Sequence, residues 1–462
     1  MARVSTPALR ADWLKHEIAV IGLARSGRAV ATLLARTGSK VYASDIGRTP
    51  DFDATAEALE REGVDVELGG HDVARVAHSS LVVVSPGVPP DAPVIAAATR
   101  EGVDVVSEVE IGLRFLPNLK YIAITGTNGK TTTTAIAAHL LKSVGARAVA
   151  AGNIGTPLSD VALQSAPPDW VALEMSSYQL HFTPSIHPNV GAVTNVSPNH
   201  LDRYRSTEEY YGDKTLLFRN SSAASSWVTN ADDPVVQAMA AGAAGVQCRF
   251  STTRRADAHY DRANGTLTAL GAPLLDRSAL QLIGDHNVAN ALCASLAVML
   301  AEAAYRSADA IERLAHGLRT FRALEHRTEA VAEIDGVLWI NDSKSTNVAS
   351  TLMALRGMTQ PTVLLLGGKH KGEPYTALAP ELARTVKKVI AYGESAQQIA
   401  RDLAGTVPVE QGGTNFTDVI ERARRTAVRG DAVLLSPACS SFDMFDNYEQ
   451  RGTEFKRLVS KR

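Results

Sequence analysis

The stretch Gly126-Thr127-Asn128-Gly129-Lys130-Thr131-Thr132 places two glycines, a cation and three hydroxyls within seven residues. Residue types at this spacing bind phosphate. Glycine lets backbone N–H groups close around phosphate oxygens, Lys130 supplies a mobile cation, and the Thr131 hydroxyl can hold Mg²⁺. The common form of such a loop has a glycine five positions before Gly129, where this chain has Ile124, so the loop is a shortened variant and not that of an ordinary GTPase or kinase. Glu174 closes an apolar run, the place where a nucleotide-binding sheet puts a second metal-anchoring carboxylate. His200 also follows an apolar run, and Lys214 lies between Asp213 and Thr215. On chemistry alone His200 satisfies a turn, since Mg²⁺ prefers oxygen, and Lys214 is a solvated helix lysine. Asn287 and Asn290 share one helix face near its start, a geometry suited to an adenine, a phosphate or plain capping. Further on, Arg327 precedes three polar loops: Asn341 to Asn347 with Asp342, Lys344 and Thr346, Gly367 to Gly372 with Lys371, and Ser436 to Asp443 with Ser441 and Phe442. Cys439 lies in the last of these, and no His stands near it in sequence to activate it as a nucleophile.

These side chains need rigid elements behind them. An apolar strand over Tyr121 to Ile124 and a helix over Thr132 to Val144, ended by Gly145, frame the phosphate loop. In the first hundred residues, the strand Ile18 to Ile21 runs into Gly22-Leu23-Ala24-Arg25-Ser26-Gly27, a helix follows over Arg28 to Arg36, and a strand over Val41 to Ser44 ends at Asp45. This is a relative of the dinucleotide fingerprint with an acidic residue at the ribose distance. Ala24 narrows the approach to a pyrophosphate while Arg25 and Ser26 can meet phosphate themselves, so the unit suits any nucleotide-linked molecule. A third strand, Leu81 to Val84, ends at Ser85 in a Pro/Gly turn on the ligand-binding edge of a parallel sheet. Asn153 sits in a polar glycine turn. Strands are expected at Trp170 to Leu173, Val190 to Val196 and Trp227 to Thr229, an antiparallel patch over Arg249 to Leu280, and a long helix reaching about Ala304. Helical periodicity stops at Gly317, a linker covers Phe321 to Arg327, and strands Val337 to Ile340, Val363 to Leu366 and Val433 to Leu435 release the three polar loops onto one rim.

The expected fold is α/β in three domains: a Rossmann-like domain over 1–107, a central P-loop ATPase-like domain with a mostly parallel sheet over 108–322, and a second Rossmann-like domain over 323–462. The length of 462 residues suits about three cores, and 45% hydrophobic and 21% charged residues with a net charge of −2 describe a globular chain. Near-neutral charge argues against a partner held by basic charge, so no nucleic acid is expected. No apolar run has the length of a signal peptide or membrane span, so no membrane insertion and a cytoplasmic place are expected. The three cysteines, Cys248, Cys293 and Cys439, have no metal-binding spacing and are expected to be reduced and buried.

A phosphate loop with Mg²⁺ anchors, a nucleotide-holding unit before it and a cationic rim after it imply three ligands. Ligation is the simplest reaction that uses them: ATP phosphorylates a carboxylate and an amine attacks the acyl phosphate. An NAD oxidoreductase would rest on Gly22 to Gly27 and leave Lys130 unused. A non-catalytic ATP-gated binding protein would leave the metal residues idle.

The motifs G-T-N-G-K-T-T, Glu174-Met175-Ser176-Ser177, N-H-L-D-R with Lys214 downstream, D-H-N-x-x-N, L-E-H-R, N-D-S-K-S-T-N and S-P-A-C-S-S-F-D-x-F-x-N-Y-E-Q-R-G together resemble the Mur ligases of peptidoglycan synthesis over the whole chain. The last three are similar to the member that adds D-glutamate to UDP-N-acetylmuramoyl-L-alanine. The resemblance implies ATP as substrate and two Mg²⁺ sites, with Thr131, Glu174, His200 and a carbamylated Lys214 as metal-site residues. That reverses the chemistry-only reading of His200 and Lys214. It assigns Gly126, Thr127, Asn128, Gly129, Lys130, Thr131, Thr132, Asn287, Asn290, Arg327 and Asp342 to ATP, with Lys130, His200, Lys214 and Lys344 catalytic. Arg25, Ser26, Asp45, Ser85 and Asn153 fall to the UDP substrate, and Thr346, Lys371, Ser441, Phe442 and Tyr448 to the amino acid. A monomer is favoured, and the resemblance implies that closure of the last domain over the middle one assembles the site. Lys369-His370 stands where the family often has Asp-Gly, and Phe442 where it often has Leu, so an L-glutamate-adding relative is the alternative.

Overall fold

The computed structural model describes residues 9–199 and 203–461; His200, expected at a metal, lies outside them. Three sheets organise the described residues. The first has five parallel strands in the order Asp65–Leu68, Val41–Asp45, Ile18–Ile21, Leu81–Val84 and Val105–Ser107. Ile18–Ile21 is buried along its whole length, as expected for a strand covered by helices on both faces. Asp65–Leu68 corrects the strand count: Leu81–Val84 is the fourth strand, because the half-exposed, charged Asp-Val-Glu-Leu edge gives no apolar run. The first helix spans Arg25–Arg36 and not Arg28 to Arg36, so Arg25 and Ser26 stand in its first turn.

The second sheet has nine strands. Lys120–Thr125 lies inside it, third from one edge, between Val190–Val193 and Trp170–Glu174, with Ala148–Gly152 at that edge beyond the latter. All of these are parallel, so their carboxyl ends and the loops that follow share one edge. On the other side come Ser226–Asn230 and Val246–Ser251, then Ala258–Asp261, Thr266–Ala269 and Ala272–Asp276, the last three joined antiparallel. The antiparallel patch is therefore an extension of the main sheet. The strand expected to reach Val196 stops at Val193, and the residues beyond it turn under the phosphate loop. The long helix runs Asp285–Ala301.

The third sheet follows the order Glu329–Ile334, Val337–Asn341, Ala432–Leu435, Thr362–Gly367, Val386–Tyr392 and Val409–Gly413. Only its first pair is antiparallel. The strands that release the three polar loops are neighbours, so those loops leave from adjacent positions on one edge. By contacts the chain divides into two units: residues up to Asp276 with Asn290–Leu318, which hold the first two sheets, and Arg277–Ala289 with Arg319 onward, which hold the third. No described helix is long and apolar enough to cross a membrane.

Candidate active site

Lys120–Thr125 delivers its carboxyl end into Gly126-Thr127-Asn128-Gly129, and the helix starts at once with Lys130–Ser143. It starts two residues earlier than the apolar pattern indicates because Gly129, in the left-handed region at φ +80°, is itself the N-cap. Both glycines are required. At Gly126 (φ +145°) an added Cβ would lie 2.0 Å from Thr194 Oγ1, and at Gly129 it would lie 2.3 Å from Asn290 Oδ1. Thr194 and Asn195, just beyond the neighbouring strand, clamp the loop. Asn195 Oδ1 accepts from Asn128 N (3.0 Å), while Thr194 Oγ1 (2.7 Å) and Asn195 Nδ2 (2.9 Å) donate to Asn128 O. Neither residue stands out in sequence; a polar pair ending an apolar strand is the one available signal. Asn290 also accepts from Thr133 Oγ1 at 3.2 Å, so it buttresses the loop and its helix.

Lys130 Nζ donates to Gly126 O (3.0 Å) and Thr127 O (2.9 Å). Lys214 Nζ reaches the same Gly126 O at 2.8 Å from the helix Thr207–Thr215. Lys214 is not the solvated helix lysine its local sequence suggests, since it is 1% exposed. Burial pulls its ammonium well below the ordinary lysine value and Lys130 adds to the effect, against Asp213 and Glu174. Its amine lies 4.6 Å from the centroid of the Tyr210 ring, and Tyr210 OH meets Thr127 Oγ1 at 3.2 Å. Sequence reading passed over Tyr210; it stands four residues before Lys214 and therefore one helical turn away.

Glu174 ends its strand directly beside Ile124 and is 2% exposed. Asn153 Nδ2 donates to its Oε1 at 2.8 Å, while its buried Oε2 has no partner among the described residues. An orphaned carboxylate oxygen beside a phosphate loop with a Thr131 hydroxyl is an oxygen donor set that suits Mg²⁺. No cluster of three or more His, Cys, Asp or Glu able to hold a metal occurs among the described residues.

A cleft of about 770 Å³ opens over the carboxyl edge of the first sheet, lined by Arg25, Ser26, Asp45 and Ser85 together with Asn153. The five residues expected at the UDP substrate are thus brought together. Arg25 Nη1 donates to Gly155 O at 2.9 Å, and Ser85 Oγ to Gly22 O at 2.7 Å. Asp45 accepts from Leu23 N (2.6 Å) and Gly47 N (2.7 Å), so its carboxylate fixes the turn after the first strand. His71, missed in sequence, lines the same cleft with Nδ1 2.8 Å from Ser44 Oγ.

In the other unit, Asp342 is buried and accepts from Thr328 N (3.0 Å), Ser345 Oγ (2.5 Å) and Ser436 Oγ (2.8 Å). Burial pushes its carboxyl up to about 6, against these hydrogen bonds and Arg327. Lys344 Nζ lies 3.7 Å from the centroid of the Tyr448 ring, a cation–π contact that brings two expected residues together. Lys371 Nζ stands 3.5 Å from Thr346 Oγ1. Asn287, also buried, donates to Ile283 O at 2.8 Å. Ser441 is buried, whereas Phe442 is 68% exposed. Beneath the loops lies Arg451, fully buried, donating to Ser343 Oγ (2.9 Å), Ser343 O (2.8 Å) and Cys439 O (3.2 Å). Its place inside a helix masks this role in the sequence.

Known proteins resemble the chain along its length. The family description "Mur ligase MurD-like, N-terminal domain" matches residues 16–107, "Mur ligase middle domain" matches 124–298, and "Mur ligase, glutamate ligase domain" matches 326–439. A protein of Salinibacter ruber named UDP-N-acetylmuramoylalanine–D-glutamate ligase is 40% identical over 454 residues, 95% of this chain and 96% of the relative. One of the same name from Acidobacterium capsulatum is 40% identical over 449 residues, 96% of each. Among solved structures, MurF ligase from Thermotoga maritima in complex with ADP matches with a TM-score of 0.60 at 16% identity, covering 98% of this chain and all 100% of that one. A pseudomurein peptide ligase type C from Methanothermus fervidus matches at 0.59 and 20% identity, covering 97% and 100%. Likeness at these identities concerns the fold.

Proposed function

Because this chain belongs to the Mur ligase family, we propose that it joins D-glutamate to UDP-N-acetylmuramoyl-L-alanine, with ATP converted to ADP and phosphate. The observation that carries the reading is 40% identity over nearly the full length to relatives bearing that activity in their names. The buried constellation around the phosphate loop supports the chemistry. The γ-phosphoryl group passes to the carboxylate of the UDP-linked acid, the D-glutamate nitrogen attacks the carbonyl carbon of the acyl phosphate, and phosphate leaves the tetrahedral intermediate.

Loop N–H groups and Lys130 hold the phosphates, and Asn290 keeps Gly129 in place behind them. Lys130 gives up carbonyl acceptors in the loop for phosphoryl oxygens, which carry the greater charge. Thr131 and Glu174 would hold Mg²⁺, with His200 at a second site. Magnesium supplies neutralisation of charge on the phosphoryl group. As an amine Lys214 offers Mg²⁺ no oxygen, but burial favours its neutral form, the one that adds CO₂, and the carbamate would be an oxygen donor. Arg25, Ser26, Asp45, Ser85 and Asn153 bind the UDP substrate. Asn287, Arg327 and Asp342 serve ATP, with Lys344 stabilising transferred charge. Thr346, Lys371, Ser441, Phe442 and Tyr448 take the amino acid. The domain boundaries of this reading are 1–107, 108–322 and 323–462, and the enzyme works as a cytoplasmic monomer.

The test is phosphate release with Mg-ATP and UDP-N-acetylmuramoyl-L-alanine, scanning D-glutamate, L-glutamate, L-lysine and meso-diaminopimelate. Release specific to D-glutamate is expected. Release with L-glutamate alone would keep the ligase chemistry and move the specificity, and silence with every amine would overturn the reading.

A further inference from the structure

Lys369 and His370 depart from the sequence pattern the chain otherwise follows, and the proposed reaction gives them no part. They follow Gly368 in the loop after the third-sheet strand Thr362–Gly367, and their surroundings are specific. Lys369 N donates to Ser440 O at 2.9 Å and Ser440 Oγ donates to Lys369 O at 3.2 Å, a short bridge between this loop and the one after Ala432–Leu435. His370 Nδ1 lies 2.9 Å from Tyr375 OH, Tyr375 OH lies 2.9 Å from Cys439 Sγ, and Cys439 Sγ lies 3.4 Å from Ser395 Oγ. Tyr375, Ser395 and Cys439 are buried. Thus Cys439, which has no histidine near it in sequence, is linked to one through a tyrosine.

The protons of this chain can all point one way. With a neutral imidazole accepting at Nδ1, Tyr375 donates to His370, the thiol donates to the tyrosine oxygen and Ser395 donates to the sulfur, so each bond polarises the next. Burial raises the Cys439 thiol above its ordinary value, which suits a thiol that donates here and argues against a thiolate nucleophile. The next residue after His370 is Lys371, whose ammonium extends to Thr346 Oγ1.

We propose that His370 is a positioning residue for the amino-acid substrate: anchored through Tyr375 to Cys439, it fixes the loop that presents Lys371 beside Thr346. The proposal rests on the reading of Lys371 and Thr346 as amino-acid ligands.

The test compares H370A, H370N and Y375F in the full chain. Loss of one such hydrogen bond corresponds to roughly a three- to tenfold change. H370A and Y375F are each expected to raise KM for D-glutamate by about that factor, with KM for ATP and for the UDP substrate changed less than twofold. The double variant should be no worse than either single one, and H370N, whose amide oxygen takes the Nδ1 position and can still accept from the tyrosine, should recover most of the affinity. Equal changes in all three KM values, or an unchanged KM for D-glutamate, overturn the proposal. A readout independent of turnover separates its failure from that of the ligase reading. Under native conditions H370A should let iodoacetamide label Cys439 several-fold faster, by peptide mass, while Cys248 and Cys293 keep their wild-type rates; an unchanged Cys439 rate also overturns it. If the wild type turns over no amine, the labelling result alone decides whether the anchor exists.

Discussion

Glu108 offers the sharpest physical test of the fold. It opens the helix Glu108–Phe115, is 1% exposed, and accepts from Ser159 N at 2.5 Å through Oε1, while Oε2 has no partner among the described residues. Burial pushes its carboxyl from 4.5 up to about 7, against the Ser159 hydrogen bonds and with help from Asp160. A folded value above the unfolded one means that its contribution to stability is fully present below pH 4.5 and is lost as pH rises through 7. That difference corresponds to about 3 kcal/mol at roughly 1.4 kcal/mol per pH unit. Glu108→Gln keeps the acceptor for Ser159 N and cannot ionise. At pH 5 the folded wild-type carboxyl is mostly protonated and its second oxygen is as unpartnered as the new amide nitrogen, so the variant should lead by only about 1 kcal/mol, the part lost as the unfolded carboxyl ionises. At pH 8 the variant should be more stable by up to about 3 kcal/mol. The assay is urea unfolding at pH 5, 6.5 and 8 followed by tryptophan fluorescence. Trp13, Trp170 and Trp227 belong to the same unit as Glu108 and only Trp339 to the other, which matters because a chain of two units need not unfold in one step. A difference between variant and wild type that does not grow with pH would refute the argument, for it would mean that Glu108 is charged and compensated in the folded protein.

Gly129→Ala places a Cβ 2.3 Å from Asn290 Oδ1 at φ +80°, so KM for ATP should rise at least tenfold, and adding Asn290→Ala should recover only part because the backbone strain of about 1 kcal/mol remains; titration with ADP checks both. Lys214→Ala should lower ligation at least a hundredfold, about 3 kcal/mol, with little loss of fold by circular dichroism, and wild type in CO₂-free buffer should lose activity that bicarbonate restores. Arg451→Met removes the donor shared by Ser343 and Cys439, so the unit holding the third sheet should lose roughly 2–4 kcal/mol, read from Trp339 fluorescence, with KM for D-glutamate raised.

What was legible in the sequence was what local chemistry determines. The phosphate loop is visible because an apolar strand, two glycines and a lysine must sit together in any fold that uses them, and only the helix start moved, since Gly129 caps it directly. The three polar loops were likewise readable as one rim, because buried parallel strands give unmistakable apolar runs. Lys214 was not readable. Its helix, Thr-Glu-Glu-Tyr-Tyr-Gly-Asp-Lys-Thr, is mostly polar, and its amine is held against the Tyr210 ring and against Gly126 O, the latter distant in sequence. The strand Asp65–Leu68 was hidden because an edge position needs little hydrophobicity. Arg451 and the His370 chain depend on contacts between loops that no spacing encodes.

The borders of the three sheets bear on how the protein behaves in a crowded solution. A bare strand edge recruits further strands, and each of these edges is made unattractive by a different device. The first sheet ends in charged Asp65–Leu68 on one side and in three residues, Val105–Ser107, on the other. The second ends in Ala272–Asp276, where Pro273 has no N–H to offer, and in Ala148–Gly152, part of whose free side is taken by a bridge from Ala151 to Thr156. The third ends in Glu329–Ile334, which carries a bulge and two glutamates, and in Val409–Gly413, which closes on two glycines. The twenty strands among the described residues thus offer no inviting template for cross-β growth, which favours a chain that remains dispersed at high concentration although its net charge of −2 gives little mutual repulsion.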